Sequence, residues 1–388
     1  MPSLIPKSSY EARPRIAVEI RPEGVFAARA NDASGFMAQV ARAELPRQAV
    51  QPGLRQQNIT DPQRVAAAVR QVLGQLQQGK LRDVTLIVPD AAVRVILLDF
   101  DSLPSDTDDA LAVVRFRLAK LLPFPTDAAQ ISYQVMTERA RQLQVLTVAI
   151  PYAVLAEYEA AVRDAGFEPG AVLPSTLAVA SAVNDAAPGA SGTAALVINT
   201  SADTMTTAIL RRGELLLHRM LETAPAALAP AAQLPAASSI AVVPTMPVDG
   251  MYAAVEPREY GADDLAGSDV DEGPVVESFV PARELAEAEA TATALEMQRA
   301  VAVAAAYYED SLAAPPELVL TSGSMSALQV AVLLEGSGLQ TRELMQAGDL
   351  LGTVTTPMPY GLLAGLRGAL RNDARIVTRP GARVGARP

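Results

Sequence analysis

Side chains that commonly do chemistry are scarce in this chain. Cysteine is absent, and His218 is the only histidine. Thiol catalysis, Cys/His zinc sites and His-centred triads need residues that are missing here. His218 alternates with leucines in ELLLHRML (214–221), so it reads as a packed or surface side chain of a strand. Asp106, Asp108 and Asp109 fall within four positions, close enough to suggest a cation site. They open an amphipathic segment, however, and the positive end of a helix dipole accounts for three carboxylates without a metal. Met297 and Tyr308 recur at helical spacing within 294–312, which is the spacing of a core stripe and not of a cofactor box.

The elements that would carry these residues repeat. RIAVEI (15–20), GVFAARA (24–30) and GFMAQVARAELP (35–46) read as three successive strands separated by turn-forming residues. A helix follows with Asp61 as its cap, Pro62 at its first position and Val65, Val69, Val72 and Leu76 on one face. DVTLIVP (83–89) is an apolar, β-branched run suited to a strand buried on both faces. TAALVIN (193–199), TMTTAIL (204–210) and ELLLHRML (214–221) repeat the three strands. Ala294, Met297, Val301, Ala304, Tyr308 and Leu312 repeat the helix, and ELVLTSG (317–323) repeats the buried strand. Between the halves, RVILLDFDSLP reads as a strand, and a helix begins at Ser105 with Leu111, Val114, Leu118 and Leu121 on one face. Two more strands, AQISYQVM and QLQVLTVAIP, follow. Together these form a small α+β module inserted in the first half.

Length and charge set the remaining bounds. A chain of 388 residues exceeds one ordinary core, so two domains or one bilobed domain are expected. Half of the residues are apolar but only 4% are aromatic and Trp is absent, so Ala, Val and Leu must build the core. The formal charge of 32 − 43 = −11 argues against nucleic acid as a ligand, because phosphate neutralisation needs surplus Lys and Arg. Residues 256–289 hold eleven acids against Arg258 and Arg283, a net of −9 that leaves −2 for the rest. Residues 225–250 hold five prolines and no periodicity. The stretch 222–284 therefore reads as a disordered or loosely packed linker, with docking to a basic partner as the alternative. Residues 371–388 carry five arginines and one acid and read as a frayed basic tail, or as a weak lure for anionic lipid. No apolar run is long enough to span a bilayer, and MPSLIPKSSYEARPR lacks the apolar stretch of a signal peptide. A soluble cytosolic protein is the plain expectation.

The stretch LDFDSLPSDTDDALAVVRFRLAKLLPFPTDAAQISYQVM (98–136) resembles the PilM family of type IV pilus assembly proteins, which have an actin-like fold. The matching features are Leu103-Pro104, the helix, Pro123-Phe124-Pro125-Thr126-Asp127 and Tyr133. The similarity extends through YEAAVRDAGFEPGAVLPSTLAVASAV (158–183), LVINTSADTMTTAILRRGELLLHRML, VLTSGSMSAL and YGLLAGLRGALR (360–371). It covers about 13–221 and 285–372, and the linker between them departs from the family.

The resemblance implies an α/β, actin-like (ribonuclease H-like) fold with duplicated βββαβ lobes. An N-terminal arm (1–12) would lead into lobe I (13–90), the inserted module (91–150) and helices completing lobe I (151–192). Lobe II would comprise hairpins (193–221), the linker (222–284) and the remainder (285–372), with a flexible basic tail (373–388). The resemblance also implies a nucleotide site in which two Gly-rich hairpins present N–H groups to phosphates and an Asp in each holds hydrated metal. Here Glu19 stands for the first Asp and Arg21 for a glycine, while Pro22 removes a donor. Asn199 stands for the second Asp and Ser201 for a glycine, and the adenosine loop keeps only Gly323. With Thr204 as a further contributor, ATP and Mg²⁺ binding remains possible, yet a degenerate site without hydrolysis is expected because Asn cannot neutralise Mg²⁺ as a carboxylate does. No catalytic residue and no dedicated metal ligand is assigned.

By the same resemblance, the function is that of a cytoplasmic scaffold, peripheral at the inner face of the inner membrane and without a transmembrane segment of its own. It would bind the N-terminal peptide of a PilN-like membrane protein, alongside other pilus-assembly proteins. Leu111, Val114, Phe116, Phe124 and Tyr133 are the candidate partner-binding residues. An active assembly ATPase and the cytoplasmic domain of a type II secretion L-type protein are the alternatives.

Overall fold

Three hairpin-linked strands, a helix and a parallel strand occur twice in the computed structural model, as the sequence pattern requires. The structure describes residues 14–32, 35–76, 82–139, 142–186, 194–211, 213–223, 282–316, 318–350 and 358–371. The arm 1–12, the tail 373–388 and nearly all of the expected linker lie outside these. At the linker's edges, Glu222 still belongs to a strand, and a helix already runs from Ala282.

The first lobe comprises β1 (Ile16–Arg21), β2 (Gly24–Ala30), β3 (Met37–Ala43), α1 (Pro62–Leu76) and β4 (Asp83–Val88). The module is β5 (Arg94–Phe100), α2 (Thr107–Leu118), β6 (Ala129–Arg139) and β7 (Gln142–Pro151). The chain returns through α3 (Tyr152–Asp164), β8 (Glu168–Pro174) and α4 (Ser175–Ala186). The second lobe holds β9 (Ala194–Thr200), β10 (Thr204–Arg211), β11 (Glu214–Glu222), α5 (Ala282–Leu312) and β12 (Leu318–Gly323). It closes with α6 (Ala327–Leu333), β13 (Gln340–Glu343) and α7 (Ala364–Leu370).

The two large sheets match strand for strand. The first runs β3-β2-β1-β4-β8 and the second β11-β10-β9-β12-β13. In each, two antiparallel pairs meet two parallel ones at a central strand. Central strands are covered on both faces, so β1 is buried throughout, β12 nearly so, and β4 reads as an apolar run without alternation. In the first lobe, α1 lays Val65, Val69, Val72 and Leu76 on the sheet, and Asp61 caps it by accepting from the Arg64 N–H at 3.0 Å. Tyr158, Phe26 and Leu86 are fully enclosed, each worth about 1.5–3 kcal/mol of burial.

Between the lobes, α7 crosses α4. All seven α7 residues are buried, and a Cβ at Gly368 would stand 1.8 Å from the Ala178 carbonyl oxygen. Only glycine allows that approach. The core joining the lobes is accordingly rich in Ala, Val and Leu.

The module is a three-stranded sheet, β5-β7-β6, with α2 packed on it. Its helix starts later than expected. Asp106, not Ser105, is the cap, its carboxylate accepting from the Asp108 and Asp109 N–H groups at 2.9 and 3.1 Å. A carboxylate caps well and also meets the helix dipole. The helix ends at Leu118, so Leu121 lies beyond it and is exposed, off the expected apolar face.

Candidate functional site

The crevice between the lobes collects most of the residues singled out for nucleotide. Glu19, Arg21, Asn199, Ser201 and Thr204 line one cavity together with Pro89, Asp90 and Ser175. β1 and β9 place them there: both are central strands whose C-terminal ends point at the same gap. Gly323 does not line the cavity; it sits on the neighbouring strand β12 of the same sheet, paired with Thr200 of β9. Its φ is +92°, and a Cβ there would lie 1.9 Å from the Thr200 carbonyl oxygen. That glycine is needed for strand packing whether or not a nucleotide binds.

The crevice is filled by the chain's own polar groups. The Arg21 guanidinium donates to Glu19 Oε1 at 3.2 Å, to Glu23 Oε2 at 3.3 Å and to the Thr200 carbonyl at 2.6 Å. Ser175 Oγ donates to Glu19 Oε1 at 2.8 Å, and Asn199 Nδ2 donates to Ser175 Oγ at 3.2 Å and to Thr176 Oγ1 at 2.9 Å. Ser322 Oγ donates to Asn199 Oδ1 at 3.0 Å. Asp90 accepts from the Thr176 N–H at 3.0 Å, from the Thr176 hydroxyl and from the Thr206 hydroxyl at 3.0 Å.

Sequence reasoning missed Asp90, Ser175, Thr176, Thr206, Ser322 and the pairing role of Glu23. Asp90 alone left a trace, as an acid directly after the buried run DVTLIVP. Glu23 meets Arg21 only two residues away, but no periodicity marks that pair, and the hydroxyl residues become polar partners through contacts between different elements that no local pattern displays.

Electrostatics explain why the network is closed. Burial pushes the Glu19 carboxyl above its usual range, opposed by Arg21 and by the Ser175 hydrogen bond. Its Oε2 is enclosed without a hydrogen-bond partner, which makes the ionised form costly. Burial alone would lower the Arg21 guanidinium, but Glu23 and Glu19 outweigh it and hold its charge more tightly than usual. Burial, aided by the charge of Glu23, pushes Asp203 up to about 6. His218 is lowered by burial against the pull of Asp90, and its Nε2 is enclosed without a hydrogen-bond partner.

This geometry leaves little room for chemistry. The cavity measures about 10 Å³, space for roughly one water, whereas small-molecule sites commonly span about 300–1,000 Å³. Four acidic side chains (Glu19, Glu23, Asp90 and Asp203) act electrostatically on one guanidinium, a poor setting for phosphate. Ser175 meets Glu19, yet no space beside it would hold a substrate carbonyl or phosphoryl group. Among the described residues, no group of His or acidic side chains is arranged to hold a metal ion.

No protein-family model matches the sequence, and no curated protein matches it. Solved structures do match the fold. One is a chain of a PilM-PilN type IV pilus biogenesis complex, with 16% identity, 92% of this chain and 99% of that chain covered, and a TM-score of 0.62. The chain has an actin-like fold. More distant likenesses within that fold are the EutJ ethanolamine utilization protein from Carboxydothermus hydrogenoformans and the cytoplasmic domain of Epsl, from the type II secretion system of Vibrio cholerae. The first shows 10% identity over 92% of this chain and 89% of that chain, with a TM-score of 0.40. The second shows 11% identity over 53% and 70%, with a TM-score of 0.35.

The candidate partner-binding residues of this actin-like chain separate on the module. Val114 is fully buried beside Leu118 and Ile131, so it belongs to the core and presents no surface. Leu111, Phe124 and Tyr133 are half-buried and pack against that core. Phe116 is 72% exposed. Lys120 stands over its ring at 5.8 Å, and exposed Val113 and Leu121 lie nearby on the same helix and just past its end. No helix among the described residues is long and apolar enough to cross a membrane.

Proposed function

We propose that this chain is an actin-like scaffold of type IV pilus assembly that works without nucleotide turnover at the cytoplasmic face of the inner membrane. Its partner in this reading is the N-terminal tail of a PilN-like membrane protein, docked on the module 91–150. The observation that carries the assembly role is the likeness, over nearly the whole length of both chains, to a member of a PilM-PilN complex. The filled crevice supports the absence of turnover, because Arg21 and its carboxylates occupy the ends of both hairpins.

The docking surface we assign is centred on Phe116. A largely exposed aromatic, with exposed Val113 one turn before it and exposed Leu121 just past the helix end, supplies the few apolar anchors that hold a peptide, while half-buried Leu111, Phe124 and Tyr133 pack on the module's core. Capture of the PilN-like protein from detergent-solubilised cells tests this. The wild-type chain should retain it, and Phe116→Asp should release it while melting at the same temperature. A folded Phe116→Asp variant that keeps the partner removes the assigned surface. Phosphate release from Mg–ATP should stay at background throughout.

A further inference from the structure

Several hydrogen bonds of the crevice run between the lobes. Arg21 belongs to the first lobe, and its guanidinium ends on the Thr200 carbonyl of the second, 2.6 Å away. Glu23 of the first lobe pairs with Arg21 at 3.3 Å and accepts from the Ser201 hydroxyl of the second at 3.2 Å. Deeper in, Asp90 of the first lobe accepts from the Thr206 hydroxyl of the second at 3.0 Å.

These bonds have a common logic. In a crevice bridged by a ligand, the hairpin ends present their polar groups to that ligand. Here Pro22 offers no N–H, and the side chain before it reaches across to the opposite strand end. The Thr200 carbonyl also accepts from the Ser324 N–H at 3.0 Å, so Arg21 joins a backbone group already fixed by the second lobe. A guanidinium only 3% exposed is tolerable only with its partners in place, and one of those partners, the Thr200 carbonyl, lies on the other lobe. Parting the lobes would break the Arg21–Thr200 and Ser201–Glu23 bonds, leaving Arg21 paired only with Glu19 and Glu23 of its own lobe. Closure therefore completes the guanidinium's hydrogen bonding.

We infer that Arg21 is a built-in pin between the two lobes, holding the crevice shut through the chain's own contacts so that no ligand is needed to bridge the hairpins. The pin has a consequence beyond the crevice. β11 of the second lobe packs beside β5 and β6 of the module, so a fixed interlobe angle also fixes the brace behind the module. The inference rests on the crevice bonds alone and holds whether or not the partner proposed above is the right one.

The chain has no cysteine, which makes the test direct. Gln71→Cys on α1 and Glu309→Cys on α5, both exposed helix positions, would carry spin labels for an electron–electron distance measurement on the full chain. The parent protein should give one narrow distance distribution that millimolar Mg–ATP leaves unchanged. Arg21→Met should broaden it, and amide exchange at Ser201 and Ser324 should quicken by on the order of a hundred-fold. A folded Arg21→Met variant with the parent's narrow distribution and exchange rates overturns the inference. So does a parent distribution that is broad until Mg–ATP narrows it. Should Arg21→Met fail to fold, Glu23→Gln removes one carboxylate from the pin and should broaden the distribution to a smaller degree. An unchanged distribution in that variant also overturns the inference.

Discussion

Asp203 illustrates how single charges govern this crevice. It sits in the turn between β9 and β10, and burial together with Glu23 raises its pKa from 3.8 to about 6. A carboxyl raised in the folded state favours folding fully below its unfolded pKa, and that contribution is lost as pH rises through the folded one. Asp203→Asn should therefore melt higher than the parent at pH 7–8, with the difference shrinking as pH falls from about 6 toward 4. After discounting for solvent screening the gain is on the order of 1 kcal/mol, a few degrees in Tm. Thermal melts across that range check it; a variant that melts lower at pH 8 contradicts it. At this scale the sequence was only half legible. Glu19, Arg21 and Asn199 stood out because the resemblance put them where metal and phosphate ligands belong. That Arg21 would point across the gap to Thr200 was invisible, because a side chain's partner 179 residues away leaves no local pattern.

Elements were more legible than side chains, for physical reasons that differ by segment. α1 announced itself through Asp61, Pro62 and a valine stripe, because a surface helix must alternate its faces. β2 begins and ends where the turn residues around it dictate. By contrast, α6 and β13 gave no signal: ALQVAVL is apolar nearly all round, and QTRE is four polar residues on a sheet edge. α7 lies in YGLLAGLRGALR, a stretch that stood out only through the resemblance, and its glycines disclosed their purpose only in the structure, where Gly368 lets it touch the α4 backbone. Gly368→Ala should destabilise by about 1–3 kcal/mol or more through overpacking, since a carbonyl oxygen and not a movable side-chain end blocks the new methyl. Urea unfolding measures this, and a change below about 0.5 kcal/mol would contradict the packing account. Gly323→Ala should be comparably harmful, because both a positive φ and the Thr200 carbonyl oppose it.

At the scale of the whole molecule, duplication is the governing feature. Two sheets of one topology face each other across α4 and α7, and the module hangs from the first lobe while the second braces it. The repeat was readable in sequence because each lobe must build the same central, doubly covered strands. The module's exposed surface was not readable, because period alone cannot tell Val114, which is buried, from Phe116, which faces solvent. If the proposed partner occupies that surface and Arg21 holds the crevice shut, docking is independent of nucleotide. Fluorescence anisotropy of a labelled peptide from the N-terminal tail of the PilN-like protein, titrated with the full chain, tests this most directly. The account predicts saturable binding with the same Kd in the presence and absence of Mg–ATP, weakened by about ten-fold or more in Phe116→Asp. No saturable binding, or binding that requires Mg–ATP, would contradict it.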